Sequence, residues 1–597
     1  MRLRAVADCF DEIEATRARS RIVVLIAALL SRAGQDERAP LVYLLQSELG
    51  PPYAGIVLGV GEKLLAHAIA ECAGVSGAEV ARRYARTGDL GSVTAELLPA
   101  SRRRRVSVRD VYDALLAIAR VTGGGSLATR RRMMSDLLAR LDGGEGRLVV
   151  RIAQGRLRLG VGDQTIVEAT AVAALGGRDG KPLVEHAYAV RSDLGAIVRV
   201  AFAGGRRALE RIAPEVGVPV RPALAQRLPS AAAIVHRLGE VQAEPKYDGF
   251  RLQLHRNGDE VHAFSRNLED VTAMFPELTA ALRRQLTVRR AIIEGEAVGF
   301  DPRTGAFLPF QETMTRKRKG GIAAAAARSP LRLFAFDVLY AGRASCLDEP
   351  QRARTARLRE IVRVDANGPI CVTDARVVHT SAELQRYFDA MLRRGLEGVV
   401  AKRSDAPYRA GARGYDWVKL KRAYESRLRD TVDVVLVGYQ RGRGKRAALG
   451  IGSLLGAVYD PEHDRFRTVA KIGSGMSDEE WKALRRELDT RAVHERPARV
   501  DSRLTPDVWV EPTLVVEVLA DEITRSPFHT CGRRGDAVGY ALRFPRLVDG
   551  VRADKSATDA TTEREVIDLF RMQRARGRGR QGAVPARRKA ARTSARR

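Results

Sequence analysis

Residues 244–251 read EPKYDGFR and place one lysine, Lys246, two residues ahead of an Asp-Gly pair. A lysine amine attacks phosphorus only in its neutral form. Nearby cations and partial burial lower the pKa of such an amine, so that the free base forms near neutral pH. Basic residues recur in the segments that follow. We therefore interpret Lys246 as a nucleophile, although the tetrapeptide KYDG alone would indicate only a surface lysine in a turn.

A β-hairpin is predicted directly after the lysine. The runs FRLQLHR and VHAFSR flank Asn257-Gly258, a pair favoured in two-residue hairpin turns. A turn at that pair predicts that Gly249 faces Arg266 across the hairpin. Arg266 is therefore expected to fold back beside the lysine and to bring a second arginine, besides Arg251, to the same place.

Other charged residues lie in strand-like runs. In DWVKLKR, alternation puts Lys419 and Lys421 on one face and two apolar residues on the other, so two ammonium groups point into one cavity. Glu296 and Glu397 are acids within otherwise apolar strands, where an unpaired carboxylate costs several kcal/mol. They need a cation, either Mg²⁺ or a lysine, and ordinary structural ion pairs are the alternative interpretation.

The pattern along the chain predicts a multidomain protein. Residues 1–215 carry apolar residues at helical spacing, as in GEKLLAHAIAECAG, and predict an all-α domain. Residues 216–425 alternate as half-buried strands between helical stretches and predict an α/β domain. Residues 426–573 are strand-rich and predict a β-barrel of the OB-fold type. Residues 574–597 are basic and rich in Gly, Pro and Ala, so we expect a disordered tail.

The charge balance favours a polyanionic partner. The 597 residues carry a formal net charge of +30, and such a field attracts nucleic acid over long range. Arg-rich coding that spreads charge over all surfaces is the alternative. The five cysteines stand singly, which argues against a zinc site or a disulfide framework. The apolar run at residues 22–30 is too short to span a bilayer and predicts a buried helix.

Seven segments occur in a fixed order: EPKYDGFR, SRN (265–267), EGE (294–296), FAFDVLY (334–340), EGVVAK (397–402), WVKLK (417–421) and LRFPR (542–546) followed by Asp554-Lys555. The series resembles the motifs of the lysine-nucleotidyltransferase superfamily, and specifically of ATP-dependent DNA ligases of the archaeal and eukaryotic replicative type. Segments of the helical region, such as LGVGEKLL and RLRLGV, look like the DNA-binding domain of that family. The resemblance covers residues 1 to about 573 and leaves out the basic tail.

The resemblance implies a role for residues around the lysine. Lys246 would carry AMP, Glu244 would read the adenine and Phe336 would sit against the adenine ring, although an ordinary core aromatic also explains Phe336. Arg251 and Arg266 would contact ribose and phosphate.

The resemblance also assigns residues to metal and phosphates. Glu296 and Glu397 would bind a divalent metal or hold the ribose, and Lys419 and Lys421 would touch the α-phosphate. Further positive groups would contact the nick phosphate (Arg413) and pyrophosphate (Arg543, Arg546 and Lys555). The third motif reads Glu-Gly-Glu where the family more often has Asp-Gly-Glu, a change that lengthens one acid and keeps Glu296.

The implied activity is the sealing of nicks in duplex DNA with ATP and Mg²⁺, or Mn²⁺ in its place, in replication, repair and recombination. The implied partner is nicked DNA. A sliding clamp is neither predicted nor excluded as a second partner, because the sequence has no clear clamp-binding box. A monomer in a prokaryotic cytoplasm, without membrane attachment, is expected.

Three alternatives remain. An RNA ligase or RNA capping guanylyltransferase shares the lysine motif but does not account for the long helical region. An NAD-dependent ligase is disfavoured by the missing four-cysteine pattern. A non-catalytic nucleic-acid scaffold is disfavoured by the intact charged set.

Overall fold

The computed structural model describes residues 1–16, 18–87, 89–99, 105–155, 157, 161–228, 230–308, 312–313, 315–316, 318, 320–365, 368–421, 431–442, 446, 449–535, 537–552 and 555–578. The side chains of Ala85, Arg227, Arg413, Lys421, Asp549, Met572 and residues 574–578 lie outside this described part. By compactness the chain divides into an N-terminal unit, Met1–Phe388 with Glu397–Leu420, and a C-terminal unit, Asp389–Leu396 with Lys421–Arg597.

Helices build the first part of the N-terminal unit, as predicted. They are α1 (Leu3–Glu14), α2 (Arg19–Arg32), α3 (Gln35–Leu45), α4 (Glu62–Ala73), α5 (Gly77–Thr87), α6 (Leu90–Leu97), α7 (Val108–Arg120), α8 (Ser126–Leu138), α9 (Gly143–Ala153), α10 (Asp163–Leu175), α11 (Lys181–Val190) and α12 (Leu194–Glu210), with 3-10 turns at Pro52–Ala54 and Arg178–Gly180.

Local sequence explains where these helices begin and which face they bury. At the start of α7 the Ser107 hydroxyl accepts a hydrogen bond from Asp110 N–H at 3.0 Å, and the Asp110 carboxylate accepts one from Ser107 N–H at 2.8 Å. This reciprocal cap satisfies two amide donors that the helix itself leaves unpaired. Helix α2 buries Ile26, Leu29 and Leu30, so the apolar run at residues 22–30 is a core helix.

Within the described residues, no single helix has the length and apolar composition to cross a membrane; only α4 and the first turns of α5, bent by 119°, pass that test as a pair.

Two β-sheets form the second part of the N-terminal unit. The strands are β1 (Leu224–Arg227), β2 (Val241–Lys246), β3 (Phe250–Asn257), β4 (Glu260–Ser265), β5 (Arg290–Gly299), β6 (Leu331–Ala341), β7 (Ala344–Ser345), β8 (Ile370–Val372), β9 (Arg376–Val378), β10 (Gly398–Arg403) and β11 (Arg413–Lys421). One sheet has the order β1-β11-β10-β2-β9, and the other has the order β4-β3-β5-β6-β7 with β8 beside β6. The helices between them are α13 (Ala231–Leu238), α14 (Pro276–Gln285), α15 (Ile322–Arg328), α16 (Gln351–Ile361) and α17 (Ser381–Arg393), with a 3-10 turn at Thr272–Met274.

The core of the second sheet fixes the strands that carry charged residues. Leu254 on β3, Ile293 on β5 and Leu333 on β6 belong to one buried cluster with apolar residues of α14 and α16. Strands β3 and β5 pair antiparallel, and Arg251 faces Glu296 while Gln253 faces Glu294. A polar row therefore lies next to a continuous apolar core.

The hairpin after Lys246 forms, but its predicted register is wrong by two residues. Leu252 faces Ser265 and Asn257 faces Glu260, so the turn is Gly258-Asp259 and not Asn257-Gly258. Gly258 has a φ of 66°, and Asn257 stays outside the positive-φ region. A glycine at the first central position is what a type II′ hairpin turn requires, and this explains the shift. A slip of two keeps each side chain on its face.

The C-terminal unit is rich in β-structure, as predicted. Its elements are β12 (Val432–Arg441), β13 (Ile451–Asp460), β14 (Arg465–Ile472), α18 (Asp478–Asp489), β15 (Ala492–Val493), β16 (Val500–Asp501), β17 (Val508–Val510), β18 (Val515–Leu519), β19 (Glu522–Ser526), β20 (Gly539–Arg543), β21 (Arg546–Val551), a 3-10 turn at Ala557–Asp559 and α19 (Glu563–Arg578). One sheet runs β15-β17-β12-β13-β14-β16, with β18 joining β12 to β21, and β19 pairs with β20. Helix α19 extends past the predicted tail boundary at residue 574 as far as Arg578, and the tail beyond it, residues 579–597, lies outside the described residues.

Candidate functional site

A cavity of about 440 Å³ lies where β2 ends at Lys246. Its wall contains five of the residues singled out from the sequence, namely Lys246, Arg251, Arg266, Glu296 and Lys419. We call it the lysine cavity. Arg266 reaches it although the pairing of Gly249 with Arg266 is wrong, because Ser265 at the end of β4 still returns to the start of β3. In β11, Val418 and Leu420 are buried while Lys419 turns to the cavity, which confirms the predicted alternation for these three residues.

Lys246 and Glu397 form an ion pair at the edge of the cavity. Strand β10 begins at Gly398 opposite Lys246, and the amide of Glu397 donates a hydrogen bond to the carbonyl of Lys246 at 3.1 Å. The carboxylate of Glu397 contacts the ammonium of Lys246. The antiparallel pairing of β2 with β10 therefore places an acid directly on the candidate nucleophile.

Glu296 has an unusual environment in the cavity wall. Burial raises the pKa of its carboxyl to about 7, against the opposing attraction of Lys246 and Arg251, while the charges of Asp248 and Glu397 add to the rise. Among the described residues, Glu296 makes no ion pair within 4.0 Å. A largely desolvated carboxylate at the cavity wall with this little compensation favours a cation beside it.

Arg251 is held by protein groups at several points. Its guanidinium donates to Glu294 at 2.6 Å, to the carbonyl of Ala223 at 2.7 Å and to the hydroxyl of Tyr408 at 3.2 Å. Burial acts to lower the pKa of Arg251, but Glu294 and Tyr408 outweigh it and the net shift is upward. The arginine is therefore a fixed positive charge in the cavity wall.

Glu244 and Phe336 belong to a second cluster and are not among the residues that line the cavity. Glu244 is paired with Lys402 at 2.9 Å and accepts a hydrogen bond from Gln242 at 2.7 Å. Lys402 also donates to the carbonyl of Phe336 at 2.8 Å, and its ammonium lies 4.8 Å from the centre of the Phe336 ring. Burial raises the pKa of Glu244, with Lys402 opposing that rise. The structure thus joins Glu244 and Phe336 through one buried lysine.

Three residues of the site were missed by sequence reasoning. Glu294 and Lys402 had a signal, because each is a charged residue in an apolar strand, which is the argument that identified Glu296 and Glu397. Tyr408 had none, since it lies in the loop between β10 and β11 and meets Glu294 only through the fold.

The remaining predicted residues divide by unit. The side chains of Arg413 and Lys421 lie outside the described part. In the C-terminal unit, Arg543 pairs with Glu522 at 2.6 Å and Arg546 pairs with Asp521 at 2.9 Å. Lys555 pairs with Asp433.

The acids of the lysine cavity fit a hard divalent cation. Mg²⁺ usually takes one or two carboxylates and completes its shell with water and substrate phosphates. Glu296 and Glu397 are two such carboxylates; the charge of Glu397 adds to the raised pKa of Glu296, and Glu296 makes no ion pair with any residue that the structure describes. In the described part of the chain, the one compact group of three possible ligands is Asp460, Glu462 and His463, where Asp460 is already bonded to Arg467 at 2.8 Å.

Known proteins match this chain along most of its length. Three family models match in succession: the DNA ligase N terminus at residues 2–171, the ATP dependent DNA ligase domain at 222–421 and the ATP dependent DNA ligase C terminal region at 447–555. A "Probable DNA ligase" of Dictyoglomus turgidum is 43% identical over 95% of this chain and 97% of its own length. A "DNA ligase" of Pyrobaculum neutrophilum is 41% identical over 94% and 97%. The solved structure Pmar-Lig_PreS3 aligns with 92% of this chain and 99% of its own at a TM-score of 0.54 and 16% identity, a likeness of fold alone.

Proposed function

This chain belongs to the ATP-dependent DNA ligase family, and on that premise we propose that Lys246 carries AMP while the protein seals nicks in duplex DNA. The observation that carries the proposal is the position of Lys246 in a cavity whose wall also holds Arg251, Arg266 and Lys419. Phosphoryl transfer depends mainly on positioning and on neutralising charge. Three cations around one lysine amine supply both.

The reaction consists of three displacements at phosphorus. The neutral amine of Lys246 attacks the α-phosphorus of ATP, a P–N bond forms, and pyrophosphate leaves with the electrons of the broken P–O bond. AMP then passes to the 5′-phosphate at the nick and the lysine amine is released. Finally the 3′-hydroxyl attacks that 5′-phosphate, the phosphodiester forms and AMP leaves. Glu397 contacts the Lys246 ammonium and is therefore placed to receive the proton that the lysine must lose.

We propose that the basic residues of the cavity divide the phosphate and ribose contacts among them. Lys419 would touch the α-phosphate, and Arg251 and Arg266 would contact ribose and phosphate. Fixed donors aimed at developing charge in a site with little water are worth more than the same donors in water. Lys421 at the α-phosphate and Arg413 near the nick phosphate are proposed from the motif resemblance.

Base recognition is proposed for Glu244 and Phe336. Lys402 bonds both residues, and Glu244 lies two positions before Lys246 on β2. This shared anchor supports a rigid group beside the nucleophile, with Phe336 against the adenine ring and Glu244 reading the base edge.

A divalent metal, Mg²⁺ or Mn²⁺, is proposed at Glu296 and Glu397. When bound, such an ion neutralises charge on the phosphates and polarises them. The protein would contribute two carboxylate oxygens, and the raised pKa of Glu296, about 7, supports a positive partner at that position.

For the C-terminal unit we propose an OB-fold, with Arg543, Arg546 and Lys555 orienting pyrophosphate during adenylation. The antiparallel succession β12-β13-β14 supports that fold.

We also propose a disordered basic tail, a domain division near residues 215, 425 and 573, and a monomer that acts on nicked DNA in a prokaryotic cytoplasm, in replication, repair and recombination. A sliding clamp stays a possible partner, and the lack of membrane attachment stays a prediction.

The proposal is tested with ATP labelled at the α-phosphate and a nicked duplex. We expect a covalent protein–AMP adduct in the presence of Mg²⁺, its discharge as the nick closes, and no adduct in Lys246→Ala. Lys181→Ala is the matched control, because Lys181 pairs with Glu185 on a helix of the same unit and should label as wild type does. A Lys246→Ala protein that still labels would remove Lys246 from its role, and labelling without sealing would point to an RNA substrate instead.

A further inference from the structure

One face of β3 carries three polar side chains that reach the segment 217–223, which leads from the helical region to β1. Arg251, Gln253 and His255 alternate along the strand and so share that face. His255 Nδ1 accepts a hydrogen bond from Gly217 N–H at 3.0 Å. Gln253 accepts one from Val220 N–H at 2.8 Å and donates one to the carbonyl of Val220 at 3.1 Å. Arg251 continues this row at Ala223, so the segment is fastened along the whole strand.

Glu294 and Tyr408 form the centre to which this row is bonded. Glu294, with 1% of its side chain exposed, accepts hydrogen bonds from Arg251 at 2.6 Å, from Tyr408 at 2.7 Å and from Gln253 at 3.2 Å. The Tyr408 hydroxyl in turn accepts one from Ala223 N–H at 2.9 Å. Burial and the charge of Glu294 raise the pKa of Tyr408 well above its usual range. The hydroxyl therefore stays protonated and donates a hydrogen bond to Glu294.

The strand register shows why this centre matters for the lysine cavity. Arg251 directly faces Glu296 across β3 and β5, whereas Glu294 is its diagonal neighbour. A direct cross-strand neighbour is the closer of the two. The guanidinium nevertheless pairs with the diagonal acid, where Tyr408 and Gln253 hold the carboxylate in place, and Glu296 is left without an ion pair among the described residues.

We propose that Glu294 and Tyr408 are positioning residues that hold the guanidinium of Arg251 in the wall of the lysine cavity and keep it from pairing with Glu296. Two consequences follow for the same site. Arg251 presents a fixed charge to the nucleotide, and Glu296 stays available for a metal or ribose. The inference rests on the proposed function, because it assumes that ATP binds in this cavity.

The test is the rate of protein–AMP formation by the full-length protein at a series of ATP concentrations with Mg²⁺. A displacement of about 1 Å in a positioning group costs on the order of 100-fold in rate. For Glu294→Gln we therefore expect one of two changes of about 10-fold to 100-fold. Either the adenylation rate at saturating ATP falls by that factor, or the KM for ATP rises by it. Glu294→Asp, which keeps the charge, should recover a large part of that loss. Tyr408→Phe removes a single hydroxyl and should cause a smaller loss in the same direction.

Asp89→Asn is the matched control for a purely structural effect. Asp89 is a buried carboxylate bonded to Arg151 at 2.7 Å in the helical region, and its loss should lower stability without changing the KM for ATP. The proposal is overturned if Glu294→Gln and Tyr408→Phe fold and adenylate with wild-type kinetics, or if Asp89→Asn shifts the KM equally. If Glu294→Gln does not fold, Tyr408→Phe decides. Failure of the wild type itself to form any adduct would refute the proposed function and would remove the premise of the positioning role with it, an outcome distinct from loss of the effect in the variants alone.

Discussion

The surroundings of Glu294 and of Glu296 differ sharply, although the two acids lie two residues apart on one face of β5. Glu294 accepts hydrogen bonds from an arginine, a tyrosine and a glutamine. Glu296 has no ion pair among the described residues, and burial raises its pKa to about 7. Glu294 is fully buried, whereas Glu296 is partly exposed in the cavity wall. The two acids therefore differ both in exposure and in the partners that the fold supplies.

The contrast separates a structural charge from a charge held ready for a ligand. A buried ion pair whose hydrogen bonds are all made belongs to the folded core. Removing one partner destabilises the fold, because it leaves an unpaired buried charge. A desolvated acid without an ion-pair partner raises the free energy of the folded state. Such acids are typical of functional sites, where a bound ligand supplies the missing positive partner. Opposite outcomes are therefore expected for the same substitution at the two positions.

The largest expected effect is the loss of stability in Glu294→Gln. Breaking a buried pair by removing one partner costs about 3–5 kcal/mol, because Arg251 is left buried and unpaired. Urea unfolding at pH 8, followed by circular dichroism, measures it. A loss below about 1 kcal/mol would mean that Arg251 finds Glu296 as a substitute partner, and would weaken the contrast.

Glu296→Gln should show the reverse. We expect unchanged or higher stability at pH 8, because a partly buried and poorly compensated charge is removed, and a loss of about 100-fold in adenylation with Mg²⁺. The same urea titration and the labelled-ATP assay give both values. Equal destabilisation by the two Gln variants would show that Glu296 is a structural acid as well.

Metal binding should depend on pH around 7. The pKa of Glu296 is raised from an ordinary 4.5 to about 7. Its carboxyl group is therefore ionised above pH 7 and becomes protonated as the pH falls through 7. We expect the apparent Kd for Mn²⁺, followed by electron paramagnetic resonance in the absence of ATP, to rise about tenfold per pH unit below 7. Glu296→Gln should abolish this dependence, and a wild-type profile that is flat from pH 5.5 to 8 contradicts it.

The smallest effect is expected for Glu294→Asp. The charge is kept and one buried methylene is lost, which costs about 0.8 kcal/mol. The same unfolding assay resolves it from the Gln variant. A loss as large as that of Glu294→Gln would mean that the shorter acid does not reach Arg251 at all.

Most of the catalytic region could be predicted because its charged residues stand in strands with strong alternation. Lys419 between buried Val418 and Leu420 is one case, and Glu296 in an apolar run is another. The hairpin register could not be fixed, since Asn257-Gly258 and Gly258-Asp259 are both plausible turns and the choice depends on which residue takes positive φ.

Partners contributed by distant segments were beyond the sequence pattern. Tyr408 reaches Glu294 from a loop 114 residues away, and no periodicity marks it. Glu244 was expected to read a base, and the pattern gave no sign that Lys402 and Gln242 would occupy its carboxylate. The short strand β1 carries too few residues to signal a strand by alternation.

The bonds between β3 and the segment 217–223 set a limit on how the chain can be divided into fragments. A catalytic fragment that starts at residue 222, where the match to the ligase domain begins, lacks the backbone groups of Gly217 and Val220. Gln253 and His255 would then be polar groups without those partners, next to Arg251 in the wall of the lysine cavity. A fragment meant for crystallography or for domain exchange between ligases should therefore begin before residue 217 and carry its own connecting segment.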